Sequence, residues 1–456
     1  MDLEGKNIVV VGLARSGLAM ARFLCARGAR VTVTDQATAA GLGAFAEEAR
    51  ELGVRLELGG HRIDSFLAAD LVVISPGVPH DLPPLKKAGR AGIPVIGEIE
   101  LASRFIQIPL VAITGTNGKT TTTEMVGRIL AAAGRKVFVG GNIGNPLIEI
   151  VSGQKDLDLI VAEVSSFQLD TTTSFRPRVA VLLNISADHL DRYPDMEAYV
   201  ASKARIFANQ QPEDTAVFNA DDPRVAGLAP RLTARKMPFY TRSDPGRAPA
   251  DAAAIVMEDR IVLRSPSGKE QAVELSKSCL MGTHNRQNMA AAALAAMAAG
   301  AGLDAVGSVL NSFETLDHRL ETVALVKGVR FVNDSKATNI DAVARALECF
   351  STPVILIMGG RNKGYDFRSL RDHVRRRVKK LIVMGEAADE ITDALGHLPP
   401  GGTTRAADMK EAVRQAFESA ASGETVLLSP ACASFDMFGN YAERGREFRR
   451  QVEALN

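Results

Sequence analysis

Short runs of Val, Ile and Leu recur along the chain, each followed by a turn and then by a stretch of helical periodicity. KNIVVVGL (Lys6–Leu13) reads as a strand, GLARSGLAMARFLCARG (Gly12–Gly28) as a helix closed by glycine, and RVTVTD (Arg30–Asp35) as the next strand. LVVISPG, from Leu71, repeats the strand-then-turn pattern. Uninterrupted β-branched runs of this length fit strands of a parallel sheet covered by helices on both faces. A second series begins near Pro109 with LVAITG and continues through DLIVAEVSS and RVAVLLNIS. IVMEDRIVLRSPSG (Ile255–Gly268) alternates differently and predicts a hairpin, after which Met289–Leu303 reads as one packed, alanine-rich helix. A third series starts near Leu316, with VRFVND, PVILIMGG, KLIVMGE and TVLLSP as its strands. The expectation is an α/β chain of three domains in series, residues 1–98, 99–315 and 316–456.

Composition narrows the function classes. The 456 residues carry 54 basic and 53 acidic side chains, a net charge of +1, which argues against a nucleic-acid or anionic-membrane footprint. The basic run Arg375–Lys380 reads as a solvated helix face. No apolar run reaches the ~20 residues of a bilayer span, and no secretory signal is visible. Cys25, Cys279, Cys349 and Cys432 are scattered without a CxxC, as in a reducing compartment. Cys432 reads as a small buried residue rather than a nucleophile, because no activating base stands near it in sequence.

The chemistry clusters where the strands end, which is where open α/β sheets bind ligands. AITGTNGKTTTTE (Ala112–Glu124) lies between a strand and a helix. Gly115, Thr116, Asn117 and Gly118 can turn backbone N–H groups toward an anion, and Lys119, Thr120 and Thr121 open the helix. Lys119 would reach terminal phosphates and Thr120 would offer its hydroxyl to Mg²⁺. The spacing departs from the P-loop consensus, since Ile113 stands where its first glycine belongs, and a Gly-Asn turn before an N-capped helix is the competing reading. Glu163 ends a strand and can bind metal, although alone it reads as a surface or capping carboxylate. NISADHLDRYPD places Asp188, His189 and Asp191 after another strand, a metal or phosphate site or a structural cluster. Lys203 reads from composition as an exposed helix lysine. Asn285 and Asn288 are three apart at a helix start, placed to read a base edge or to cap the helix.

In the third series His318 and Arg319, Asp334, Lys336 and Thr338, Lys363, and Ser434 and Tyr441 gather cations and hydroxyls at strand ends, which suits an anionic substrate. In the first, GLARSG lacks the middle glycine of GxGxxG, because Ala14 stands there; with Asp35 and Ser75-Pro76-Gly77 it supports a dinucleotide only weakly.

Taken in order, GTNGKT, EVSSFQL, DHLDRY, HNRQN, DHR, NDSKATN, GGRNKG and SPACASFDMF resemble the Mur ligase family, and more narrowly its D-glutamate-adding members. The resemblance covers nearly the whole chain and accounts for the shortened phosphate loop, since GTxGKT/S is that family's form. It implies a Rossmann-like UDP-binding domain, a central P-loop-type ATPase domain with a parallel sheet and a small hairpin region, and a Rossmann-like C-terminal domain. The implied reaction is ATP-dependent amide formation in peptidoglycan precursor synthesis. A substrate carboxylate becomes an acyl phosphate, the amine of D-glutamate attacks, and a tetrahedral intermediate collapses. Lys119, Glu163, His189, Lys203 and Arg319 are then the implied catalytic set. Two Mg²⁺ ions fall to Thr120, Glu163, His189 and a CO₂-derived carbamate on Lys203. ATP falls to residues 115–121, Asn285, Asn288, Arg319 and Asp334. The UDP substrate falls to Arg15, Ser16, Asp35, Ser75, Pro76, Gly77, Asn142 and His189. D-Glutamate falls to Lys336, Thr338, Lys363, Ser434 and Tyr441, where Tyr441 replaces the family's phenylalanine. The implied enzyme is a cytoplasmic monomer acting on small molecules, with no nucleic-acid partner and no membrane insertion. Competing readings are a sister ligase or folate-glutamylating enzyme, a nicotinamide-dependent oxidoreductase built on GLARSG and Asp35, and a non-catalytic nucleotide-binding regulator.

Overall fold

The Val/Ile runs form strands buried along their length. The computed structural model describes residues 1–456 except Leu190, Asp191, Pro266, Met281 and Asn456. The chain divides into two compact units, one of residues 1–185, 197–275 and 287–310, the other of residues 186–196, 276–286 and 311–456.

The first unit holds two sheets. Strands β1 (Asn7–Val11), β2 (Arg30–Asp35), β3 (Arg55–Leu58), β4 (Leu71–Ile74) and β5 (Val95–Gly97) form a fully parallel sheet in the order β3-β2-β1-β4-β5. Strand order reverses between β1 and β4, so the loops after these two strands face each other across a crevice. The second sheet contains β6 (Leu110–Thr114), β7 (Val137–Gly141), β8 (Leu159–Glu163), β9 (Val179–Leu182), β10 (Thr215–Asn219), β11 (Arg235–Thr241), β12 (Ala254–Val256), β13 (Arg260–Arg264) and β14 (Glu270–Glu274). Its order is β14-β13-β12-β11-β10-β9-β6-β8-β7. It is parallel from β7 to β12, and β12, β13 and β14 pair antiparallel where the alternating pattern predicted a hairpin.

The second unit holds β15 (Glu321–Val326), β16 (Val329–Asn333), β17 (Val354–Gly359), β18 (Val378–Met384), β19 (Thr403–Arg405) and β20 (Thr425–Leu428), in the order β15-β16-β20-β17-β18-β19. Only the edge pair β15/β16 is antiparallel. Apolar side chains from both faces of this sheet pack into two core layers, one around Leu356, Leu381 and Leu427, the other around Ile355, Ile357 and Phe331.

The alanine-rich run differs from its sequence reading. It is two helices, Thr283–Ala298 and Leu303–Ser312. Gly300 adopts φ +97°, and the Ala301 N–H reaches back to the Ala296 carbonyl at 2.9 Å, a left-handed C-terminal stop. Among the described residues no helix is long and apolar enough to cross a membrane.

The first unit's two sheets are joined through the short helix Glu98–Ser103, which buries two carboxylates. Burial works to raise the Glu100 pKa, but hydrogen bonds from Ser174, Thr173 and Arg104 hold it down at about 2. Glu98 has fewer donors. Burial lifts it from 4.5 to about 7 despite the Ile148 N–H at 2.8 Å. The folded protein therefore keeps this proton over a range in which the unfolded chain has lost it, and stability declines as pH rises from 4.5 to about 7. Glu98→Gln removes that decline. The variant's stability advantage over the native chain should grow by about 2–3 kcal/mol between pH 5 and pH 8, read by urea unfolding at both values. An advantage that does not change with pH would contradict the assignment.

Candidate functional site

The loop after β6 is built for close backbone approach. Gly115 and Gly118 have φ +155° and +85°. A Cβ on Gly118 would lie 2.3 Å from the Asn288 Oδ1, so only glycine fits there. Asn184, after β9, fastens the loop from below: its Oδ1 accepts the Asn117 N–H at 2.8 Å and its carbonyl accepts the Thr116 N–H at 2.9 Å. The helix Lys119–Ala132 starts immediately after, so the positive end of its dipole faces whatever the loop encloses.

Two lysines converge on this loop. The Lys119 Nζ donates to the carbonyls of Gly115 at 3.1 Å and Thr116 at 2.9 Å, and the Lys203 Nζ donates to the same Gly115 carbonyl at 2.8 Å. Lys203 is only 1% exposed, with its ammonium 4.7 Å from the centre of the Tyr199 ring. The surface lysine read from composition is thus a core residue of the site. Glu163, at the end of β8, is likewise buried and is no surface or capping group. Its two oxygens accept the Thr120 hydroxyl and the Asn142 carboxamide, each at 2.7 Å.

Asn142 also lines a cavity of ≈ 490 Å³ at the crevice of the first sheet. Arg15, Ser16, Asp35, Ser75, Pro76 and Gly77 line its other walls, so all the sequence candidates of the first domain share one cavity with the residue that touches Glu163. Asp35 holds the loop after β1 by accepting the Leu13 N–H at 2.6 Å, and Ser75 donates to the Gly12 carbonyl at 3.0 Å. Arg15 donates to Asn145. Gln36, His61 and Gln168 also line the cavity and were not singled out in sequence, since nothing local marks them.

In the second unit the loops after β16, β17 and β20 carry the remaining candidates. The Lys336 ammonium lies 3.6 Å from the Tyr441 ring centre, and the Lys363 Nζ reaches the Thr338 hydroxyl at 3.4 Å. Arg361 and Ala433 exchange backbone hydrogen bonds of 2.9 and 3.0 Å, which carries buried Ser434 alongside the loop of Lys363. Burial raises the Asp334 carboxyl to about 7, against the Ser429 hydroxyl, the Leu320 N–H and the charge of Arg319, which favour the anion. Non-glycine residues in left-handed conformations mark these segments: His189 (φ +56°), His318 (+63°), Leu320 (+47°) and Ala431 (+60°). Asp188 flanks His189, with its Oδ2 3.7 Å from the His189 Nε2, while Asp191 lies outside the described residues. Asn285 is buried in the first turn of the helix Thr283–Ala298.

The donors suit a hard cation. Thr120 and Glu163 place a hydroxyl and a carboxylate within 2.7 Å, all-oxygen chemistry of the kind Mg²⁺ takes alongside phosphate and water. Among the described residues no group of three His, Cys, Asp or Glu side chains could hold a metal ion.

Three family profiles match the chain in order: the Mur ligase MurD-like N-terminal domain over residues 6–97, the Mur ligase middle domain over 113–296, and the Mur ligase glutamate ligase domain over 318–432. The chain belongs to the Mur ligase family. A UDP-N-acetylmuramoylalanine–D-glutamate ligase from Desulfosudis oleivorans is 48% identical, with 100% of this chain and 98% of that protein aligned. The ligase of the same name from Desulfatibacillum aliphaticivorans is 49% identical, with both chains aligned in full. Among solved structures, a pseudomurein peptide ligase type C from Methanothermus fervidus superposes with a TM-score of 0.62 at 22% identity, over 99% of this chain and 100% of its own. MurF from Acinetobacter baumannii gives 0.62 at 16% identity, over 99% and 91%. These two share the fold.

This Mur ligase also contains a residue that sequence reading passed over. Arg444, on the helix Tyr441–Glu453, is 2% exposed, and burial lowers its pKa to about 10. Its guanidinium donates to the Ser335 Oγ and carbonyl, to the Cys432 carbonyl and to the Gly359 carbonyl at 2.9–3.3 Å. It therefore ties together the loops that carry Lys336, Lys363 and Ser434. Lysine cannot reproduce that fork. Arg444→Lys should cost about 2–3 kcal/mol of stability, and steady-state kinetics should show the KM for the amino acid rising about tenfold with the KM for ATP little changed. Equal shifts in both KM values would contradict the role.

Proposed function

We propose that this chain is an ATP-dependent amide ligase that joins D-glutamate to UDP-N-acetylmuramoyl-L-alanine in peptidoglycan precursor synthesis. The observation that carries the reading is the continuity from the phosphate loop through Thr120, Glu163 and Asn142 into the crevice cavity. In this reading the phosphate loop stands next to a cavity of ≈ 490 Å³ lined by Arg15, Ser16 and Asp35, which supports binding of a UDP-sugar there. The full-length likeness to enzymes named for this reaction supports it.

The residues divide the labour. The N–H groups of Gly115 to Thr121 cradle the polyphosphate, and Lys119 leaves its loop carbonyls to neutralise the transferring phosphoryl group. Asn285 and Asn288 face the nucleobase, Asp334 the ribose, and Arg319 the phosphates. Arg15 and Ser16 take the pyrophosphate of the UDP substrate, with Asp35, Ser75, Pro76, Gly77 and Asn142 around the rest. Thr120 and Glu163 would hold Mg²⁺, which would supply charge neutralisation for the phosphates, and His189 with Lys203 as its carbamate would hold a second ion. The carboxylate of the substrate's alanyl group displaces ADP to form an acyl phosphate. The D-glutamate amine adds to that carbonyl, and phosphate leaves. Lys336, Thr338, Lys363, Ser434 and Tyr441 hold the amino acid's carboxylates, so that its amine is the free end. The domains carrying these functions are residues 1–98, 99–315 and 316–456, and the enzyme works as a monomer in the cytoplasm.

Phosphate release from ATP and Mg²⁺ with UDP-N-acetylmuramoyl-L-alanine, adding one amino acid at a time, tests the reading. Release should depend on D-glutamate and not on L-glutamate, L-lysine or diaminopimelate. Release with another amino acid would move the specificity, and none with any would overturn the proposal.

A further inference from the structure

Asp188 is buried, precedes His189, and is gripped from the third sheet's side of its own unit. Its Oδ1 accepts the Tyr365 hydroxyl and also the His189 N–H at 2.9 Å. Its Oδ2 accepts the Asn339 carboxamide at 3.2 Å and stands 3.7 Å from the His189 Nε2. One carboxylate thus contacts both the backbone and the ring of a histidine held at φ +56°, a conformation that persists only where the surroundings enforce it.

The two outside donors are placed informatively. Asn339 follows Thr338, and Tyr365 lies two residues after Lys363. The Lys363 loop is itself closed by Asn362, whose Oδ1 accepts the Tyr365 N–H at 2.8 Å and whose carboxamide donates to the Tyr365 carbonyl at 3.1 Å. Asn339 is fixed in turn as the N-cap of the helix Ile340–Glu348, accepting the Ala342 N–H at 2.8 Å. Lys363 and Thr338 are themselves hydrogen-bonded. Each of two loops therefore contributes one amino-acid-binding candidate and one donor to Asp188. A ligand that draws Lys363 and Thr338 together acts on Tyr365 and Asn339 through the two loops that carry them.

We infer that Tyr365 is a positioning residue that couples occupation of the amino-acid site to the orientation of His189, acting through the Asp188 carboxylate. This rests on the D-glutamate ligase reading above. The hydroxyl takes no part in bond making. It sets the Asp188 carboxylate, and Asp188 sets the His189 backbone and ring. Attack by the amine then meets a correctly aligned His189 only when the amino acid is in place.

The test is Tyr365→Phe, which keeps the ring and removes one oxygen. With the native enzyme, amide hydrogen exchange over Ser186–Met196 is measured in UDP-N-acetylmuramoyl-L-alanine plus a non-hydrolysable ATP analogue, with and without D-glutamate. D-Glutamate should slow exchange in that segment, and Tyr365→Phe should abolish the slowing. In kinetics the variant should lose about tenfold in kcat, the usual scale for a group that orients a metal or catalytic ligand, with the KM for ATP unchanged. Asp188→Asn should show the same loss, and the double variant should add little to either. Native kcat in Tyr365→Phe, together with native D-glutamate-dependent protection, would overturn the coupling. A native enzyme that releases no phosphate with D-glutamate would instead reject the substrate reading, so the two failures are separable.

Discussion

Lys203→Ala should lower kcat about a thousandfold, on the scale seen when a preorganised electrostatic group is removed, with partial recovery on adding acetate or formate. The expectation comes from the family resemblance, and charge gives it a physical reason. The Lys119 and Lys203 ammonium groups share the Gly115 carbonyl, and Lys203 is sealed from solvent beside Tyr199. Two cations on one dipole repel, and a buried cation is costly. Addition of CO₂ to the Lys203 amine would replace the positive charge with a carbamate anion and would supply oxygen donors of the kind Mg²⁺ prefers. A short carboxylic acid can re-enter the space left by alanine and restore part of that anion. Steady-state phosphate release with and without the acid measures both effects. Full activity in the unrescued variant would remove the carbamate from the mechanism.

Lys119→Ala should lower kcat/KM by about 10³–10⁴, since phosphoryl transfer depends almost wholly on positioning and charge supply. Lys119 is the residue that the loop keeps folded back on its own carbonyls, which stores the ammonium at the mouth of the helix Lys119–Ala132. Lys119→Arg should not restore the rate, because a planar guanidinium fork does not reproduce the compact ammonium that the Gly115 and Thr116 carbonyls hold. The check is single-turnover acyl phosphate formation, trapped before D-glutamate is added. A loss under tenfold would contradict the assignment.

The architecture was legible because it is written in local pattern. Buried strands such as LIVAE and VILIM have nowhere to sit but a covered parallel sheet, and the glycines of GTNGKT mark a turn in any context. Candidate site residues stand out in the sequence only where chemistry and strand end coincide, as at Lys119 and Asp334. Lys203 looked like a surface lysine because the carbonyl it touches lies 88 residues away in the chain. Tyr365 meets Asp188 across 177 residues, and Arg444 meets Ser335 across 109. Helical or strand periodicity carries no trace of such contacts. They exist because the fold brings helices and loops that are distant in sequence, such as those carrying Lys203 and Arg444, against strand-end loops. The alanine-rich stretch misled for a different reason. Its apolar content runs through Gly300 and Gly302, while the left-handed turn that splits it depends on single residues.

The most direct measurement follows oxygen. UDP-N-acetylmuramoyl-L-alanine labelled with ¹⁸O in its alanyl carboxylate is turned over with ATP, Mg²⁺ and D-glutamate, and the inorganic phosphate is weighed by mass spectrometry. Activation of the carboxylate as an acyl phosphate requires one labelled oxygen in each phosphate released, with the other retained in the new amide. Phosphate that carries no label, formed alongside the amide product, would contradict the acyl phosphate and with it the roles given to Lys119, Glu163 and Lys203.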